Sequence, residues 1–331
     1  MVTLEELKTQ PKLEAIMLKD GPLFDLIIIG GGPAGLTAAL YAGRAQLKTL
    51  LIEKALLGGM ASTTFMIENY PGFPEGLTGM ELAGRFDEHA KKFGADIYYG
   101  EVSSIKAEKG KHKVQIEGKN LETKALILAT GSEPKKLNVK GEEEFRGRGV
   151  SYCATCDGAF YRDKNIVVVG GGNSAIEEAL FLTRYAKKIS IIHRRDKLRA
   201  DKILAERVMN HPQIFIIWNS QVEEILGKDR VEEIKVRNLQ TRKINNLPAE
   251  GIFIYVGSSA NTAFLSGQVD LDKDGYILTD ENLKTSVPGI FAAGDVRRKT
   301  LKQVVTAAAD GALAADSARR YIEEELTAKK K

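Results

Sequence analysis

An α/β architecture is what this sequence predicts: two three-layered units around parallel sheets, the second inserted into the first. Two stretches carry most of that expectation. "DLIIIGGGPAGLTAALYAGRAQLKTLLIEK", starting at Asp25, and "NIVVVGGGNSAIEEALFLTRYAKKISIIHR", starting at Asn165, align without a gap. In each, an aliphatic run, a glycine cluster, an amphipathic stretch and a second aliphatic run follow in the order of a βαβ unit. The third observation concerns the end of the chain. "VPGIFAAGDV", Val287 to Val296, reads as a strand, and an Ala-rich helix is expected over about 302–325. Too small to form a domain alone, this tail completes the first unit. The expected layout is residues 1–131 plus 262–331 as one domain and 132–261 as the other.

Taken in order, the first two dozen residues have acidic side chains where a secretory signal would be basic, and no apolar core follows. Leu4, Leu7, Leu13, Ile16 and Met17 have helical spacing, so an accessory helix or a frayed arm is expected there. The first glycine turn fits GxGxxG at Gly30, Gly32 and Gly35, with Pro33 and Ala34 opening the helix. In such a turn the first glycine permits the tight bend and the second admits a pyrophosphate. The third keeps helix against strand, and the helix N-terminus adds partial positive charge. Glu53 ends the next strand, where a carboxylate accepts hydrogen bonds from ribose hydroxyls and repels a ribose phosphate, so FAD or NAD suits this copy. The segment 100–130 alternates like hairpin strands and is expected as a small sheet on the first domain, and "LILATGSEP", Leu126 to Pro134, reads as a strand with its exit at Gly131.

The second turn fits GxGxxA at Gly170, Gly172 and Ala175, with Asn173 and Ser174 between. Where the first copy has Glu53, this one has His193, followed by Arg194, Arg195 and Arg199. Guanidinium forks there suit a ribose 2′-phosphate, hence NADPH over NADH. "GIFIYVGSSANT", Gly251 to Thr262, reads as the strand leading back to the first domain, whose final strand delivers Gly294 and Asp295 to a loop.

Between the copies, "SYCATCDGAF" holds both cysteines, Cys153 and Cys156. Zinc would need four ligands, and His89, His112, His193 and His211 have no partner spacing, so no metal site is expected. A disulfide across two residues restricts little chain entropy, which makes it a poor staple. A redox-active pair remains, with one thiol of lowered pKa. Because the pair and the second nucleotide turn share one domain, that domain is expected to swing on its two linkers between half-reactions.

Composition sets bounds rather than a function. Lys and Arg outnumber Asp and Glu by 48 to 44, too weak a bias to imply nucleic acid or membrane. The uncharged run from Leu26 to Gly43 is broken by glycines and a proline, and two cysteines are too few for a disulfide framework; a cytoplasmic protein is expected.

"GGGPAG", "CATCDG", "GGGNSA", "HRRDKLRA" and "FAAGDV" together resemble the low-molecular-weight, bacterial or archaeal thioredoxin reductases, in that family's order and spacing, from Phe24 onward. The resemblance implies a homodimer with one FAD per subunit, passing electrons from NADPH through the flavin to the Cys153–Cys156 disulfide and on to thioredoxin or a glutaredoxin-like partner. It implies that Cys156 lies against the flavin, that Cys153 attacks the partner disulfide and that Asp157 protonates the leaving thiolate. By the same resemblance Asn69 lies near the flavin ring, Val102 meets the adenine through its backbone, and Asp295 binds the ribityl and phosphate region. Three departures stand out. Gly58-Gly59-Met60 replaces a Gly-Gly-Gln, Lys302-Gln303-Val304 replaces an Arg-Gln-Ala, and "GSSANT" lacks the usual histidine and proline. Within the same fold a ferredoxin-dependent reductase or a thiol oxidase are alternatives; outside it, a non-catalytic flavin redox sensor.

Overall fold

The structure, a computed structural model, describes residues 23–64, 67, 69–108 and 110–328. All but the last two residues of the segment expected as an arm lie outside that range, and Leu23 and Phe24 already belong to the first strand. The chain forms two compact units, one running to Glu133 and resuming at Ser259, the other spanning Pro134–Ser258.

The first unit opens with β1 (Leu23–Ile29), α1 (Pro33–Arg44) and β2 (Thr49–Glu53). Short α2 (Gly59–Ser62), α3 (Gly79–Lys92) and β3 (Asp96–Tyr99) follow, then β4 (Val102–Lys106), β5 (His112–Ile116) and β6 (Lys119–Leu128). β1 runs parallel to β2 on one side and β6 on the other. Leu26, Ile27, Ile28, Leu50 and Leu51 are fully buried, as expected of strands covered on both faces. Each such side chain contributes roughly 1.5–3 kcal/mol. Thr78 and Glu81 form a capping box that fixes the start of α3.

The hairpin segment departs from expectation. β4, β5 and β6 are antiparallel neighbours, but they form no separate sheet. β6 is ten residues long: its first half pairs with β5 while its second half lies parallel to β1, so one seven-stranded sheet results, in the order β3-β2-β1-β6-β5-β4, with a last strand also on β6. Alternation identifies strands, whereas the length of β6 decides which sheet they join.

The chain leaves the first unit through β7 (Ser132–Pro134). In the second unit β8 (Val150–Ser151) and α4 (Ala154–Asp157) precede the βαβ copy formed by β9 (Asn165–Gly170), α5 (Asn173–Leu182) and β10 (Lys188–Ile192). Next come α6 (Lys202–Met209) and β11 (Ile214–Ile217), the meander β12 (Ser220–Gly227), β13 (Val231–Asn238) and β14 (Ile244–Pro248), and β15 (Gly251–Tyr255). A parallel sheet in the order β11-β10-β9-β15-β8 is the unit's frame, and the meander is a second, antiparallel sheet. β16 (Ser258–Ala260) pairs with β7, so the two crossings run side by side. β17 (Ile290–Ala292) then joins β6, and α7 (Val304–Ala328) packs along α1.

His112 on β5 is 1% exposed, and among the described residues neither ring nitrogen has a hydrogen-bond partner; Glu108, the Pro288 carbonyl and Tyr321 stand nearby. Burial holds its pKa below 6.5, opposed by Glu108 and the Pro288 carbonyl. As pH falls through 6.5 the unfolded chain takes up a proton that the folded chain resists, so stability drops. Denaturant unfolding of wild type and His112→Leu at pH 7.5 and 5.5 should show a smaller acid loss in the variant. The ceiling for one proton is about 1.4 kcal/mol per pH unit. Equal losses in both would show that His112 has no part in acid sensitivity.

Candidate redox and nucleotide sites

At the first glycine turn, a Cβ at Gly35 would lie 1.8 Å from the Gly30 carbonyl oxygen, so α1 starts against the backbone of the turn. Pro33 is the first residue of α1, where a missing N–H costs nothing, and Ala34 is buried behind it. Gly32, by contrast, faces open space within 4 Å, leaving the mouth of the turn accessible to a ligand. The Glu53 carboxylate is already engaged, accepting from the Gly31 N–H at 2.6 Å and the Ala55 N–H at 2.7 Å. It braces the turn, and its remaining lone pairs are what a ribose could use.

Other predicted residues of this unit come from distant parts of the chain. Asn69 donates through Nδ2 to Gln303 Oε1 at 3.0 Å, across 234 residues of sequence. Gly59 and Met60 lie in α2, Met60 40% exposed, and Val304 begins α7. Lys302 places its ammonium 3.6 Å from the centroid of the Tyr276 ring, a cation–π contact. Val102 heads β4 opposite Ile116, and Gly131 follows β6, its carbonyl accepting from the Asn261 N–H at 3.0 Å.

Asp295 sits in the loop after β17, and its Oδ1 is buried and, among the described residues, without a partner. Burial raises its pKa, opposed by Lys299 and Lys302. Sequence reasoning missed what holds that loop. Asp310 on α7 accepts from the Gly294 N–H, from Arg297 in a two-pronged pair and from Lys299. An aspartate in the first half of an Ala-rich helix was the only signal.

In the second unit, Gly172 again faces open space, and Gly170 would drive a Cβ to 2.5 Å from the Tyr255 carbonyl oxygen. Ala175 is buried at the third position. Asn173 does not face the turn alone: its amide exchanges hydrogen bonds of 2.9 Å with the Asp201 N–H and carboxylate, tying α5 to the start of α6. Ser174, Arg194, Arg195 and Arg199 are exposed, whereas His193 is 4% exposed. The His193 ring lies under Gly171, its Nε2 3.1 Å from the Lys197 carbonyl, and burial lowers its pKa. It shapes the turn from beneath while the arginines stand outside it.

Cys153 and Cys156 form a disulfide, with Cys153 capping α4 and its Sγ accepting from the Cys156 N–H at 3.2 Å. That donor would favour a thiolate on Cys153. Ser151 accepts from the Cys153 N–H and donates to Asp157 Oδ2 at 2.6 Å. Burial raises the Asp157 pKa despite that bond. Tyr255, from β15, accepts the Ala154 N–H at 2.6 Å. Nothing in the sequence marked Ser151 or Tyr255, because both act through contacts that only folding creates. Among the described residues no cluster of three or more His, Cys, Asp or Glu is arranged for a metal, and no helix is long and apolar enough to cross a membrane.

Two glycine-turn units with a reducible cysteine pair between their copies define an oxidoreductase that works with dinucleotides. The pyridine nucleotide-disulphide oxidoreductase family model matches residues 24–311, and the chain belongs to that family. It is 48% identical to a thioredoxin reductase of Listeria innocua over 93% of this chain and 97% of that one. Against a Bacillus subtilis thioredoxin reductase the identity is 45%, covering 93% and 97%. The crystal structure of a thioredoxin reductase from Streptococcus pyogenes matches with a TM-score of 0.87 at 45% identity, covering 92% of this chain and 99% of that one. Family membership implies a flavin and a pyridine nucleotide, and the residues fit both. The first unit has an open Gly32 and, in the loop after β17, the Asp295 oxygen that is unpartnered among the described residues; the second has an open Gly172 and exposed arginines.

Proposed function

We propose that this oxidoreductase is an NADPH-dependent thioredoxin-disulfide reductase, with FAD on the first unit and NADPH on the second. The observation that carries the reading is the Cys153–Cys156 disulfide built beside a raised-pKa acid, on the unit that also bears the arginine-flanked turn. When bound, the two cofactors supply the hydride and two-electron chemistry that returns the pair to the dithiol. The remaining steps belong to the chain. Cys153 attacks the partner disulfide as a thiolate, forming a mixed disulfide, and the departing partner thiolate takes a proton from Asp157. Cys156 then attacks Cys153, the intramolecular disulfide re-forms, and the partner leaves with its second thiol.

Asn69 and Gln303, held together, would line the flavin ring with Gly59, Met60, Lys302 and Val304. Gly30, Gly32, Pro33, Ala34, Gly35, Gly131, Gly294 and Asp295 would surround its diphosphate and ribityl, and Glu53 and Val102 its adenosine. Gly170, Gly172, Asn173, Ser174 and Ala175 would cradle NADPH, with Arg194, Arg195 and Arg199 on the 2′-phosphate and His193 below. The cysteine pair and this nucleotide would present in turn, by movement of the second unit on its crossings. A cytoplasmic homodimer acting on thioredoxin, or a glutaredoxin-like protein of the same disulfide chemistry, completes the reading.

Anaerobic titration of the yellow protein tests it. NADPH should bleach the flavin, and added oxidised thioredoxin should restore the colour. Bleaching by reduced ferredoxin and not by NADPH would overturn the nucleotide assignment.

Trp218, the chain's single tryptophan, reports on the second turn, since its ring lies 6.2 Å from His193 and the neighbouring Asn219 N–H donates to the Arg195 carbonyl. NADP⁺ should change its emission with saturation. Loss of one phosphate-gripping guanidinium in Arg195→Ala or Arg199→Ala should weaken NADP⁺ by about tenfold or more while leaving NAD⁺ nearly unchanged. Equal weakening of both nucleotides would remove the arginines from 2′-phosphate recognition.

A further inference from the structure

Beneath the redox turn lies a carboxyl for which the proposed reaction has no use. Glu178 projects from α5, whose Ile176, Ala179 and Leu182 pack in one core with Ala154 of the cysteine helix and with Tyr161 and Tyr255. Its Oε2 is buried and, among the described residues, unpaired. A buried carboxylate without a partner is costly, so such groups keep their proton or serve a purpose. Tyr255 packs against that same core. Its hydroxyl accepts the N–H of Ala154, the first residue after Cys153, and its phenol feels the charges of both Glu178 and Asp157. Tyr255 is therefore within electrostatic reach of the Glu178 carboxyl and hydrogen-bonded to the backbone of the dithiol turn.

We infer that Glu178 is a positioning residue for the redox pair: acting across the Tyr255 hydroxyl that holds Ala154, its charge state sets how much nucleophilic thiolate the reduced cysteines carry. The inference rests on the redox reading of Cys153 and Cys156. Burial, with Glu177 adding to it, brings the Glu178 pKa up to about 7, so the group changes charge within the working range of an enzyme at neutral pH. The other titratable groups facing this region are Asp157 and Tyr161 from the cysteine turn, Tyr255 from β15 and Glu177 on the same helix; Lys202, Glu206 and Arg207 of α6 are exposed. Asp157 already has its Ser151 partner, which leaves Glu178 as the unpartnered acid.

The direction follows from electrostatics. While Glu178 is neutral, a thiol loses its proton without opposition from that side. Once Glu178 is ionised, a second negative charge nearby disfavours thiolate, so the two deprotonations compete. For scale, a unit charge acting across about 10 Å at an effective dielectric of about 20 alters a deprotonation equilibrium by about tenfold.

The holoenzyme is reduced anaerobically with dithiothreitol, freed of excess reductant and treated with iodoacetamide from pH 5 to 9, with modification of Cys153 and Cys156 mapped by mass. Only thiolate reacts, so the rate follows the thiol titration. Glu178→Gln, of nearly the same shape, should move the midpoint about one pH unit lower and remove the shoulder near neutrality. Glu178→Asp, which keeps an ionisable carboxyl, should retain the wild-type form. Superimposable profiles for wild type and Glu178→Gln would overturn the inference while leaving the redox reading intact. A pair that dithiothreitol fails to reduce would instead remove that reading.

Discussion

Cys153→Ser should abolish NADPH-driven reduction of thioredoxin, a loss of about a thousandfold or more, since the one remaining thiol, Cys156, has no partner with which to re-form the intramolecular disulfide and release the reduced product. The flavin should still bleach with NADPH, because hydride transfer from nicotinamide to flavin does not pass through this sulfur. Cys153 is the residue whose sulfur receives the Cys156 N–H, a donor suited to an attacking sulfur. The partner variant gives the complementary outcome. In Cys156→Ser the attacking thiol survives but the resolving one does not, and a covalent adduct with thioredoxin should accumulate on a non-reducing gel. Near-normal turnover by Cys153→Ser would exclude the dithiol route. An adduct formed by Cys153→Ser and not by Cys156→Ser would exchange the two roles.

Gly35→Ala should remove the flavin and destabilise the first unit by about 3 kcal/mol or more. The added Cβ would sit 1.8 Å from the Gly30 carbonyl oxygen and 3.0 Å from its carbon. Backbone cannot rotate away as a side chain can, so α1 would have to lift from β1. That helix also packs against α7 through Ala38, Ala42, Ala314 and Ala318, in a core of small side chains with little room to yield. Thermal unfolding should fall by about 6 °C or more, and the purified variant should be pale. The second unit supplies the control. Its equivalent position is already Ala175, and Ala175→Gly should cost only about 1 kcal/mol, the helix propensity of glycine. A yellow Gly35→Ala protein of normal stability would mean that the turn opens more readily than its geometry allows.

Much of the site was legible because nucleotide turns are written locally. A strand, a glycine cluster and a helix start fall within about a dozen residues, and their order is visible wherever they occur. The spacing of Cys153 and Cys156 is local in the same way. The carboxylate of Glu53 was placed correctly at the strand end, but its engagement by the Gly31 and Ala55 N–H groups was hidden, because backbone donors have no residue letter. His193 shows the same gap: it stands beside the arginines in sequence, yet its ring turns inward under Gly171 while theirs remain outside.

The sequence by itself determined the two βαβ copies, the close cysteine pair that the structure joins as a disulfide and the resemblance that links them, since each rests on side-chain periodicity or spacing within a short window. Tertiary structure alone decided the rest. It merged the hairpins into the main sheet through β6, brought Asn69 to Gln303, set Asp310 behind the Asp295 loop and placed Tyr255 under Ala154. These partners lie from 16 to 234 residues apart. Which of many possible acceptors a buried donor finds at such separations is fixed by how whole elements pack, and no local pattern encodes that.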